Sequence, residues 1–148
     1  LVLSTLHANN AVQTIERVLQ FFPDEMHSPI LQQLSMNIRG IVAQRLIPGV
    51  DGKRVAAVEV MLGNARMTEL LREGGLTTIK RELDSFHPEG MQSFDHCLLE
   101  LFKAGKITAE EAIRNSDNAN DMRLRLRHLR VTITGQGDDR YGRAGQAQ

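Results

Sequence analysis

LVLSTLHANNAVQTIERVLQFFP, residues 1–23, is the stretch on which the fold turns. Leu1 to Thr5 reads as a short buried strand, apolar and partly β-branched. Asn10 is a good helix N-cap, with Gln13 three residues on as in a capping box. Val12, Ile15, Val18, Leu19 and Phe22 then recur on one helical face, and Pro23 ends it. His7 sits where the strand ends and the helix begins. It is either a packing residue or a group that watches something at that edge, because α/β folds bind ligands at the carboxyl ends of their strands. A strand also needs neighbours, and none precedes Leu1, so the chain reads as a piece of a longer protein.

Outward from this unit, a second helix is expected from about Ser28, with Pro29 in its first turn and Ile30, Leu31, Leu34, Ile38 and Ile41 as its stripe. Residues 41–47 fit either the end of that helix or a strand. PGVDGKR (48–54) is a turn and VAAVEVML (55–62) a buried strand, so 43–62 reads as a β-hairpin. Short helices follow. One is capped by Asn64 and runs to Glu73 and Gly74, and another covers Leu76 to Leu83. SFHPEG (85–90) is a loop. Ser93 caps a helix with Phe94, Cys97, Leu98, Leu101 and Phe102 on one face, closed by Gly105. Thr108 with Glu111 opens one more. NSDNAND (115–121) is polar and turn-rich. MRLRLR (122–127) alternates strictly, which favours an extended strand. The tail from Gly135 to Gln148 has the composition of a disordered segment. The chain thus divides into an α/β part over 1–62, a helical part over 63–121, an alternating Arg/Leu extension over 122–134 and a tail over 135–148.

The bulk numbers exclude several classes. The 148 residues carry 18 Lys plus Arg against 18 Asp plus Glu, so no global field points to nucleic acid or an anionic membrane. One cysteine, Cys97, excludes an internal disulfide framework and a Cys-rich zinc site, and it suits a reducing compartment. With no tryptophan and one tyrosine, an aromatic base-stacking platform is not expected. No apolar run has the length of a bilayer span, and no signal-peptide pattern appears.

The chemistry of known motifs is mostly missing. The only Gly-Lys pairs, Gly52-Lys53 and Gly105-Lys106, lack both the following Ser or Thr and the glycine five residues upstream, so the sequence holds no P-loop. The five histidines, His7, His27, His87, His96 and His128, share no metal-ligand spacing. The residues alone therefore describe an α/β-plus-helical piece with one suggestively placed histidine.

The run over 1–23 resembles the His-box region of secretion-type ring ATPases, in which a strand ends in Thr-Leu-His. LSMNIRGIVAQRLIP (34–48), with its Ala-Gln-Arg-Leu at 43–46, and the strand VAAVEVML resemble the same superfamily further on. ARMTELLREG (65–74) and GMQSFDHCLLELFKAGKITAEEAIRNSDNANDMRLRLR (90–127) resemble the PilT/PilU family of type IV pilus retraction ATPases, at its PilU-like end. The likeness runs in family order over about 1–128. Extension and secretion members carry paired Cys-x-x-Cys elements after the Gln-Arg-Leu stretch. Here PGVDGKR stands instead, as in the retraction branch.

That resemblance implies the C-terminal part of a RecA-like P-loop ATPase core followed by a small helical subdomain. It implies a homo-hexameric cytoplasmic motor at the inner-membrane base of the pilus, which retracts the pilus by ATP hydrolysis and so supports twitching motility. Paralogous retraction subunits and a membrane platform protein are the implied partners, with no nucleic acid and no direct membrane insertion. ATP and Mg²⁺ would be bound mainly by upstream residues, so the fragment alone is expected to be inactive. The alternatives are a non-catalytic ring-assembly or platform-contact module, or an extension-type relative.

For individual residues the resemblance makes His7 a nucleotide sensor facing the γ-phosphate, with Thr5 two residues away. Imidazole suits this, since it donates a hydrogen bond and changes charge near neutral pH. Arg17 is a helix-surface charge or a ring contact, and Gln44 and Arg45 are surface groups or supports of the sheet edge or interface. Glu59, inside an apolar strand, needs a partner, expected as Arg45 or Arg54 in a structural ion pair. Arg66, Glu69, Leu70 and Arg72 form the face of the retraction helix motif. No residue of the chain is expected to be catalytic or to bind a metal.

Overall fold

Asn10, Asn64, Ser93 and Thr108 each start a helix by the same local chemistry. Their side-chain oxygens accept the backbone N–H groups of Gln13 (2.8 Å), Met67 (2.9 Å), His96 (3.2 Å) and Glu111 (3.2 Å). The computed structural model describes residues 1–84 and 90–135, with side chains through 129. In it, α1 (Ala11–Leu19) leads through a short 3₁₀ turn (Asp24–Met26) to α2 (His27–Asn37). A hairpin of β1 (Gly40–Pro48) and β2 (Arg54–Leu62) follows, then α3 (Ala65–Arg72), α4 (Leu76–Asp84), α5 (Phe94–Lys103), α6 (Ala109–Asn115) and α7 (Ala119–Gly135).

The strands pair antiparallel, with Gly40 opposite Leu62 and Pro48 opposite Arg54. Asp51 closes the turn by accepting the Lys53 N–H, and Gly52 supplies the positive φ of 77°. Period-two alternation then puts Ala43, Arg45, Ile47, Val55, Ala57, Glu59 and Met61 on one face. The apolar members of that row serve two cores. Ala43, Ile47 and Ala57 pack with Phe94, Leu98, Ile107, Met122 and Leu126. Met61 packs with Ala11, Ile15, Met67, Leu71 and Ile79. Arg45 and Glu59 lie side by side on the same face, between them.

Several expectations are corrected. Residues 1–8 form no strand: Leu1, Val2 and Leu3 are exposed at 88% or more. A buried strand needs a ladder and a cover, and neither β1 nor β2 pairs with this segment. Helix α1 buries Ala11, Ile15 and Leu19, while Phe22 lies beyond its end and is partly exposed. Gln13 bonds the Asn9 N–H, one residue short of the reciprocal capping-box partner. Helix α2 stops at Asn37, so Ile41 belongs to β1.

MRLRLR is helical. Met122 and Leu126, four residues apart, are buried, and Leu124 points outward. Arg and Leu are strong helix formers, and a cap at Asn118 and an Arg125–Asp121 ion pair at 2.6 Å support the first turns. Six alternating residues carry too short a signal to outweigh these terms. The turn-rich stretch shrinks accordingly to 116–118 between α6 and α7. The loop expected at 85–90, apart from Gly90, and the tail over 136–148 lie outside the described residues.

Candidate functional site

The segment Thr5 to Ala11 is held at its far end and open at its near end. Glu59, 4% exposed, accepts the Ala11 N–H at 2.7 Å from its place on β2. On β1, Arg45 donates from Nε and Nη2 to the Asn9 carbonyl at 3.4 and 3.2 Å. Thr5 and His7 precede these anchors. Both are exposed, and neither side chain has a hydrogen-bond partner among the described residues. The arrangement is a fixed stem bearing an accessible imidazole.

Arg45 reaches further. Its Nη1 donates to the Asn115 carbonyl at 2.8 Å, its Nη2 pairs with Asp117 Oδ1 at 3.0 Å, and its guanidinium lies 4.0 Å from the centroid of the Phe94 ring. Planar, multiply donating and weakly hydrated, an arginine suits such a half-buried junction better than a lysine would. Asp117 also meets Lys80 of α4 at 3.3 Å, and its N–H bonds the buried Asp95 of α5 at 2.8 Å. Beside this junction is a cleft of about 460 Å³ lined by Thr77, Lys80, Asp84, Asp95 and Asp117 among others.

Glu59 thus takes a backbone donor where an arginine was expected. Arg54 bonds the Leu46 carbonyl, and Arg45 pairs with Asp117. Burial is the main force on Glu59 and pushes its carboxyl up from 4.5, against the Ala11 N–H. Asp95 is raised from 3.8, again chiefly by burial, with the Asp117 and Asn118 N–H groups opposing and the Asp117 and Asp84 charges adding to the rise.

These shifts have a sign that can be measured. The folded state binds these protons more tightly than the unfolded chain, so the stabilisation is complete below the ordinary values and is lost as pH rises through the folded ones. Glu59→Gln keeps an oxygen acceptor for Ala11 and removes the buried charge. Its stability relative to wild type is therefore expected to improve as pH rises from about 4 to about 7. Glu59→Leu orphans the Ala11 N–H and is expected to cost about 1–3 kcal/mol. Urea titrations across that pH range check both, and a pH-independent Gln difference would contradict the first.

The other candidates separate cleanly. Gln44 is on the outer hairpin face and exposed, and Arg17 is exposed on α1. Arg66 bonds Glu69 at 3.0 Å and Glu82 of α4 at 3.3 Å, tying α3 to α4, while Leu70 is core and Arg72 is exposed. Sequence reasoning missed Asp95, Asp117, Lys80 and Asn9. Asp95 had a local signal, an acid in the first turn of a helix directly beside Phe94 on its apolar face, whereas the other three became legible only through their contacts. No three His, Cys, Asp or Glu side chains among the described residues could hold a metal ion. The chain has no P-loop cradle for a triphosphate.

A family model for type II/IV secretion system proteins matches residues 1–133. The chain belongs to that family. It is 43% identical over 128 residues to the type IV pilus ATPase PilU of Pseudomonas aeruginosa, covering 86% of this chain and 34% of that protein. With the type IV pilus retractation ATPase PilT of the same organism it shares 36% over 112 residues, covering 76% and 33%. The crystal structure of the pilus retraction motor PilT with bound ADP superposes with a TM-score of 0.69 at 33% identity, over 78% of this chain and 32% of that one. By sequence and fold the chain is of the PilT/PilU type, with the fold of the C-terminal region of a RecA-like core, and it spans about a third of the length of these relatives. No helix among the described residues is long and apolar enough to cross a membrane.

Proposed function

We propose that the chain is the C-terminal part of a hexameric ATPase that powers type IV pilus retraction at the cytoplasmic face of the inner membrane, working against a membrane platform protein. The observation that carries this reading is the fixed stem with its open imidazole: Glu59 and Arg45 hold Asn9 and Ala11, and His7 is left free to meet a ligand. The PilU and PilT likenesses supply the ligand, a nucleoside triphosphate. In the longer protein, ATP with Mg²⁺ provides the transferable phosphoryl group and the cation that neutralises its charge. This chain would contribute His7 as a donor toward the γ-phosphate and Thr5 as an auxiliary hydroxyl. The α3 motif, through the Arg66–Glu69–Glu82 cluster, would contribute stiffness to the moving unit.

The reading is tested in the gene. The reading frame upstream of the Leu1 codon is expected to encode G-x-x-x-x-G-K-[ST] and an acidic strand. Expressed whole, that protein is expected to hydrolyse ATP, and the 148-residue chain alone is not. His7→Ala in the whole protein is expected to lower kcat by about 100-fold, the usual loss for one well-placed donor to a developing charge. Steady-state hydrolysis measures it; an unchanged kcat would remove His7 from the mechanism.

A further inference from the structure

We infer that Arg45 is a positioning residue that makes the His7 segment and the turn between α6 and α7 respond as one unit, so that a displacement felt at His7 reaches α4 and α5. The inference rests on the reading of His7 given above only for what it does in the motor; the coupling itself is a property of this chain.

The geometry is unusually complete for a single side chain. One planar guanidinium donates to Asn9 on one side and to Asn115 and Asp117 on the other. The Phe94 ring beneath it limits tilting. Its side chain is 24% exposed and that of Asp117 16%; the bond to the Asn115 carbonyl is part-buried, while those to Asn9 and Asp117 are open to solvent. Because the fork is rigid, a shift of the Asn9 carbonyl has to be answered by rotation of the whole plane, which moves the donors to Asn115 and Asp117 together. From Asp117 the path divides, to Lys80 on α4 through a carboxylate oxygen and to Asp95 on α5 through the backbone N–H. Glu59 lies beside this path: it anchors Ala11 to the hairpin and is reached by the Phe94 backbone of α5 and by the Asp117 and Arg45 charges, so Ala11 reports on Glu59 while Asn9 reports on Arg45.

Coupling of this kind is shown by perturbing one end and reading the other. The experiment is amide hydrogen exchange by NMR on the 148-residue chain. Asp117→Asn is expected to speed exchange at Asn9 by about 3- to 10-fold, although it does not touch Asn9, with core amides such as Ile79 within about 2-fold of wild type. In an Arg45→Gln background the same change is expected to add nothing at Asn9. Arg45→Lys serves where Gln impairs folding: it keeps the charge for Asp117 but not the fork, so Asp117 stays protected while Asn9 exchanges faster. Unaltered exchange at Asn9 in Asp117→Asn, or an equal effect there with and without Arg45, overturns the inference. In the whole ATPase, Arg45→Gln is expected to lower kcat about 10-fold with KM within about 2-fold, and to add no loss to His7→Ala. Multiplying losses would also overturn it. If His7→Ala leaves kcat intact while the exchange coupling holds, it is the reading of His7 that fails, and the coupling stands.

Discussion

Phe94→Ala is expected to lower the unfolding free energy by about 3–5 kcal/mol, the range for truncating a fully buried phenylalanine. The ring is 1% exposed and is packed in one cluster with Leu98, Leu99, Ile107 and Met122, so little room exists for collapse into the space it leaves. It is also the floor beneath the Arg45 guanidinium, at 4.0 Å. Truncation therefore removes apolar contacts and a cation–π contact together, and it loosens a side chain that fastens Asn9 and Asp117. Urea unfolding followed by circular dichroism reads the loss as a fall in midpoint at constant slope. Phe21→Ala is the control. Phe21 is 73% exposed, and its truncation is expected to stay within about 0.5 kcal/mol. Equal effects at the two positions would contradict the packing described for the hairpin's inner face.

Gly63→Ala is expected to be nearly as costly, about 3 kcal/mol, for a reason unrelated to hydrophobicity. A methyl placed there overlaps the Ile38 carbonyl oxygen and comes within 3.2 Å of its carbon. These are backbone atoms at the exit of α2 and cannot rotate aside as a side-chain tip would. The two segments are held together there, since the Gly63 N–H donates to the Arg39 carbonyl at 3.0 Å. Relief requires α2 and the end of β2 to separate, which disturbs the packing of Ile38 and Met61 in the second core. Gly52→Ala isolates the other kind of glycine effect. Its φ is 77° with open space around it, so only conformational strain of about 1–2 kcal/mol is expected. A larger loss at Gly52 than at Gly63 would show that strain, not steric contact, governs both.

How far each feature could be read in advance follows the range of the forces that make it. The helix starts at Asn10, Asn64, Ser93 and Thr108 were legible because a cap is a bond across three residues. The hairpin was legible from its turn and from the apolar run after it. The alternation at 122–127 misled because a period of two marks a strand only where a neighbouring strand can use it. Here Asn118 caps the segment, and Met122 and Leu126 meet the core at helical spacing. The apolar run at Leu1 to Thr5 misled in the same way, since a strand is completed by a partner and not by its own residues.

The candidate site divides along the same line. His7, at a boundary between extended chain and helix, stood out by position and by resemblance, both properties of the linear text. Glu59 stood out as a charge among apolar neighbours, with Arg45 or Arg54 as its expected partner, and Arg45 stood out through the Ala-Gln-Arg-Leu resemblance as a surface cation or a support of the sheet edge or interface. Tertiary structure decided otherwise, placing Ala11 against Glu59 across 48 residues and Asp117 against Arg45 across 72. A charge taken out of water must find a partner, and the sequence states that demand at once. Which partner answers it depends on what the packed hairpin, α1 and the α6–α7 turn bring within 3 Å or so, a distance that exists only after the chain has folded.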